Sequence, residues 1–284
     1  MKEIVSEVIK IGLPLSLMAV MFALGLKLAL GQSLVFFKEQ PGLMVRSLGV
    51  VLVLVPLAAL AIILLLDPAP AVMVGLVIVA ASPASPSQLM KFGKTAPGLA
   101  FLASLHMFLV LLAIISVPAV LYLLSRALGF QAEVDAVQVA KSVGQTVLVP
   151  VALGVLFRHF FANAADRIGP SLGKVATVVL YAFLIPILLK TFGLVLAMDL
   201  WSYFVMAIFI ITNLALGHLL GPRDAEQRTI LAMESGGRNF GLALTIAALN
   251  FSQDKALAVL IPYLILFIVI STIYLKWRER GATA

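Results

Sequence analysis

Residues 231–250, LAMESGGRNFGLALTIAALN, set a carboxylate (Glu234), a guanidinium (Arg238) and an amide (Asn239) inside a stretch otherwise suited to hydrocarbon. Gly236 and Gly237 separate the two charges. A charge at bilayer depth is costly, is seldom turned toward lipid, and by default marks an ion or substrate pathway. Carboxylate and amide oxygens suit hard cations, whereas guanidinium and amide N–H groups suit anions. The chemistry indicated is reversible ion binding. A second polar run, ASPASPSQLM at 81–90, supplies Ser82, Ser85, Ser87 and Gln88 between prolines. Glu234 and Arg238 read either as an ion pair knitting a broken helix together or as part of a site. The serines read either as partners for backbone groups freed by the prolines or as ligands, with Ser87 and Gln88 at the start of a half-helix where N–H groups attract anions. His106 reads either as a packed, hydrogen-bonded residue or as a proton-coupling group.

Bond-making chemistry is not indicated. The chain contains no H-E-x-x-H, no G-x-S-x-G and no glycine-rich phosphate loop, and it has no cysteine. Its three histidines, His106, His159 and His218, lack metal-site spacing. The expectation is a protein that is not an enzyme and needs no cofactor.

The elements that must hold these residues are membrane helices. Of 284 residues 62% are hydrophobic and 12% charged, and the mean hydropathy is +1.14. A soluble domain carries about 25% charged residues. Apolar runs long enough to cross a bilayer recur near 11–30, 43–66, 71–93, 97–125, 138–160, 174–197, 201–220, 226–251 and 255–276, which predicts nine spans in one all-α transmembrane domain. With loops alternating between sides, thirteen of the twenty lysines and arginines fall together, five fall opposite, and Lys190 and Arg238 lie within spans. The richer side is cytoplasmic, which puts the N-terminus outside and the C-terminus inside an inner (plasma) membrane. The scattered basic residues form no stripe for nucleic acid, so lipid is the expected surround.

Two spans read as broken. Pro83 and Pro86 lack N–H groups and clash with the preceding turn, predicting a break near 82–87; Ser235, Gly236 and Gly237 predict another at similar depth. Irregular backbone at that depth must be buried in protein or face a cavity. The breaks fall in the third and eighth spans, so spans two to four and seven to nine run oppositely, the pattern of an inverted repeat whose broken helices meet near the midplane.

The run ESGGRNFGLAL resembles the E-x-G-x-Q-N-x-G-L-A signature of the bile acid:sodium symporter family. ASPASPSQLM resembles its P-G-G-x-x-S-N broken-helix segment, and MAVMFALGLKL its early M-x-F-x-x-G-L-x-L helix. The resemblance covers nearly the whole chain and fits a nine-span form with an external N-terminus. It implies a core bundle (about 43–125 and 201–276) in which two broken helices cross, a panel (about 11–30 and 138–197), and secondary transport of a small organic anion by alternating access. By this resemblance Glu234 is the bridging glutamate, Asn239 the crossover asparagine, and Ser87 and Gln88 the Ser-Asn pair; Ser85, Gly236 and Gly237 belong to the crossover. Sodium, if retained, would lie at Glu234, Ser87 and Gln88. Three departures matter: Arg238 replaces a glutamine, Val51 replaces a second-span glutamine five residues before Pro56, and Gly98 and Leu102 replace hydroxyl ligands. A buried guanidinium would repel a neighbouring sodium ion. The expectation is therefore that Arg238 stands in for sodium, neutralising Glu234, or contacts the anion directly, with sodium coupling lost or reduced. Alternatives are a proton-coupled or uncoupled exporter of weak acids or oxyanions, or a membrane sensor that binds without transport.

Overall fold

A computed structural model describes residues 2–28, 30–83, 85, 86, 88, 92, 95–129, 136–250 and 254–282. The described chain is helical, with no strand among these residues: α1 (Lys2–Gly25), α2 (Leu30–Glu39), α3 (Pro41–Leu66), α4 (Pro70–Ala80), α5 (Ala96–Ala127), α6 (Val137–Phe160), α7 (Ala162–Ala182), α8 (Leu184–Leu196), α9 (Leu200–Leu219), α10 (Ala225–Gly236), α11 (Phe240–Asn250) and α12 (Asp254–Ala282). Six helical stretches among the described residues are long and apolar enough to cross a membrane, and Ile11–Gly25 and Pro70–Ala80 are shorter apolar helices. Apolar side chains face outward as well as inward, as a bilayer permits: Leu65, Leu189 and Leu200 are among the most exposed residues.

Proline shapes two of the long helices in the same way. α3 contains a π-turn over Val50–Leu54 just before Pro56, and α6 one over Gly144–Leu148 just before Pro150. Each proline removes an N–H and crowds the carbonyl four residues back, and widening the turn lets Val55 N–H reach Val50 O and Val149 N–H reach Gly144 O instead.

Two regions differ from the hydropathy reading. α2 lies in what reads as a loop, because its stretch is amphipathic and short: Phe36 and Phe37 pack on Phe101 and Phe108 of α5, with ring centroids 6.1 and 4.7 Å apart, while Lys38 and Glu39 face outward. The sixth apolar segment starts at Ala162, not near 174, and turns at Phe183, three residues before Pro186. Its first turns carry Asp166, Arg167 and Lys174, which hide it from a hydropathy window.

α1 packs along α6 and α7, and α10 along α9. Two glycines of α1 have close partners: Gly12 faces the Phe183 ring, and Gly25 lies on Gly154 of α6. A Cβ on Gly25 would overlap the Val151 carbonyl oxygen and sit 2.9 Å from the Gly154 Cα. Because backbone cannot move aside as a flexible side chain can, Gly154→Val is expected to separate α1 from α6 and destabilise the protein by roughly 1–3 kcal/mol. A lowered melting temperature in detergent checks this.

Candidate functional site

Both breaks form, and they meet. α4 ends as Ser82 N–H turns back to Val79 O and the Ser82 hydroxyl donates to Ile78 O at 2.7 Å, with Pro83 barring continuation. α10 ends where Gly237 N–H donates to Met233 O at 2.7 Å. Ser235 and Gly236 remain helical, so the break lies at Gly237–Asn239, slightly later than the sequence suggests. The next helix starts there because Asn239 caps it: its side-chain oxygen accepts from Leu242 N–H at 3.0 Å. Asn239 N–H donates to Ser82 O at 2.8 Å, and Gln88 Nε2 donates to Met233 O at 3.3 Å, tying one break to the other.

Arg238 sits in the gap, 5% exposed. Its guanidinium donates to three backbone carbonyls: Nε to Val79 O at 3.2 Å, Nη1 to Val51 O at 3.3 Å and Nη2 to Ala80 O at 2.5 Å. The two departures noted at Val51 and Arg238 therefore form one contact, with the arginine reaching backbone at the position that lacks a glutamine side chain. Glu234 is not within ion-pair distance of this guanidinium. In a continuous helix a spacing of four would stack them, but the break at Gly237 carries Arg238 off that face toward α3 and α4.

The carboxylate has another neighbour. His106 on α5 places Nδ1 3.2 Å from Glu234 Oε1, both side chains fully buried. The approach is not aligned as a hydrogen bond, so both carboxylate oxygens and both ring nitrogens lack hydrogen-bond partners among the described residues. Gln88 Oε1, Asn239 Nδ2 and the Tyr263 hydroxyl are buried in the same condition. Buried polar atoms are nearly always bonded in folded proteins, so this concentration makes the junction the candidate site.

Of the residues singled out by sequence, Gln88, Glu234, Gly236, Gly237, Arg238 and Asn239 come together at the junction, and His106 joins them. Ser85 is buried. Ser87 lies outside the described residues, as does the side chain of Lys190. The hydroxyls of Ser82 and Ser235 donate to the carbonyls of Ile78 and Leu231, four residues back along the chain. His218 bonds across helices to the Tyr274 hydroxyl at 2.9 Å.

Sequence reasoning missed Tyr263, although a hydroxyl following Pro262 within an apolar span is a detectable signal. It also missed the link at the start of α5, where Thr95 caps the helix and the Glu226 carboxylate accepts from its N–H and hydroxyl. Gly98 makes room for that carboxylate, since a Cβ there would stand 2.5 Å from Glu226 Cδ. Position 98 thus serves packing rather than ligation.

A search of curated proteins finds no match. A profile of the Sodium Bile acid symporter family matches residues 14–219, most of the chain. The match takes in Val51, Gln88 and His106 and ends before α10, so the Glu234–Asn239 half of the junction lies beyond it.

Proposed function

The chain belongs to the sodium bile acid symporter family, and from that premise we propose that it is a secondary transporter of an organic anion in which Arg238 is a tethered cation in place of a coupling sodium ion. The observation carrying this reading is the guanidinium's set of acceptors. Three carbonyl oxygens converge on it from α3 and α4, an all-oxygen shell of the kind a hard cation takes. A sodium ion beside it would compete for those oxygens and meet repulsion only weakly screened in a buried setting. Arginine suits the role because it does not shed its proton on burial.

In this reading the chain makes nine crossings with an inverted repeat, its N-terminus outside and its C-terminus cytoplasmic. A core bundle of spans two to four and seven to nine moves against a panel of spans one, five and six. The anion binds at the junction through Ser87, Gln88 and Asn239 and the half-helix N–H groups, with Glu234, Ser85, Gly236 and Gly237 shaping the crossing. Uptake of organic anions into proteoliposomes, compared in sodium and in choline, tests the proposal. Retention of uptake in choline is expected; its collapse there would overturn the tethered-cation role while leaving anion transport intact.

The contact between His106 and Glu234 favours a second reading for the driving force, coupling to protons. An inward proton gradient should then accelerate wild-type uptake, and His106→Gln should abolish the acceleration while leaving basal exchange measurable. A gradient without effect on the wild type would remove this reading.

A further inference from the structure

We infer that the protein carries a binding site for an anionic phospholipid, separate from the crossover. A cavity of about 640 Å³ lies between the α1–α2 turn, α5 and α6. That volume falls within the usual range for a site that encloses a bound organic molecule. None of Gln88, Glu234, Arg238 or Asn239 lines it. On α5, Met107, Val110 and Leu111 turn to the cavity while His106 turns to Glu234.

Three features select the occupant. First, the walls are apolar except at one end, where Arg158 and His159 occupy the last turn of α6. Second, the cavity follows α6 from Leu148 to His159, roughly 16 Å at 1.5 Å per residue, about the depth of one leaflet of a bilayer whose hydrocarbon is ~30 Å thick. Third, it reaches the outside of the bundle: Leu111 and Leu156 line it and are 45% and 52% exposed. A ligand arriving sideways from the membrane, with an acyl chain as long as a leaflet is deep and a negative headgroup at the interface, matches all three. Arg158 is fixed at the mouth by Nη1, which donates to Leu26 O at 2.7 Å and to Asp166 Oδ1 at 2.8 Å. Only one of its nitrogens is engaged in those bonds, and a guanidinium has five N–H donors in a planar fork suited to phosphate. The exposed carboxylate of Asp166 offsets part of the charge, so the headgroup preference also draws on His159 and on the acyl contact.

Because the cavity borders the α1–α2 turn, α5 and α6, a lipid seated there would brace that turn against the two helices. The test is the thermal stability of the full-length protein in detergent, titrated with phosphatidylglycerol, with phosphatidylcholine of identical chains, and with glycerol phosphate alone. Phosphatidylglycerol is expected to stabilise at about tenfold lower concentration than phosphatidylcholine, and glycerol phosphate not at all. Gly31→Leu with Ala152→Leu should fill the cavity and remove the response to phosphatidylglycerol; a Cβ at Gly31 meets nothing within 4 Å, and both positions are exposed rather than packed in the core. His159→Gln should narrow the preference between the lipids while the protein stays folded. Equal responses to both lipids, an unchanged response in the filled variant, or an equal response to glycerol phosphate would each overturn the inference. Displacement of bound phosphatidylglycerol by transported anion would also overturn it, since the cavity would then be part of the substrate path.

Discussion

Arg238→Gln is expected to convert anion uptake that ignores sodium into uptake that requires it. In the wild type the guanidinium brings one fixed positive charge and satisfies the carbonyls of Val51, Val79 and Ala80. Glutamine can donate to two of them at most and brings no charge. An unsatisfied buried acceptor costs about 1–3 kcal/mol, so in choline the variant should lose stability by that order, and its transport should fall at least about tenfold. In sodium the ion can take the freed oxygens and restore the charge, recovering part of both. Paired uptake and melting measurements in the two salts check the prediction. Loss of anion affinity without any sodium dependence would instead assign Arg238 to direct contact with the substrate. A variant indistinguishable from the wild type would remove both roles.

Gly237→Ala is expected to cost nearly as much function through geometry alone. An added Cβ would overlap Gln88 Nε2 and stand 2.6 Å from Met233 O and 2.9 Å from Phe267 Cζ. The Gln88 amide can swing away only by giving up its bond to Met233 O, one of the ties between the breaks. Overpacking of this kind costs roughly 1–3 kcal/mol, and misplacing a binding group by about 1 Å can cost about a hundredfold in rate. Gly236→Ala is the contrasting case. Its Cβ would stand 2.8 Å from Leu214 Cδ2, the flexible end of a side chain. Transport by Gly236→Ala should exceed that by Gly237→Ala, and equal activity would show that the Gln88 contact does not matter.

The two breaks were legible because their cause is local. Pro83 cannot continue a helix, and Gly237 followed by Asn239 supplies an end and a new cap. α2 was not legible, since its helix rests on Phe36 and Phe37 meeting α5, a tertiary contact with no periodic apolar run behind it. The site divides along the same line. Glu234, Arg238 and Asn239 stood out because polar groups are rare in such a segment, but their partners did not follow from spacing. A spacing of four pointed from Arg238 to Glu234, whereas the break turned the guanidinium to backbone oxygens, which leave no trace in a residue pattern. His106 was one isolated histidine until packing of α5 on α10 brought it to the carboxylate. Val51 could be noted only as a missing glutamine; that its carbonyl receives Arg238 is a fact of the fold.

The most direct test of the tethered-cation account is anion binding by the purified wild type, read as thermal stabilisation by a panel of organic anions in sodium and in choline. A ligand at a hundred times its Kd stabilises by roughly 2.7 kcal/mol, enough for the true substrate to stand out from the rest of the panel. The account predicts the same shift in both salts, because the charge that completes the site is already part of the chain. A shift that appears only in sodium would contradict it, showing that the ion still binds beside Arg238.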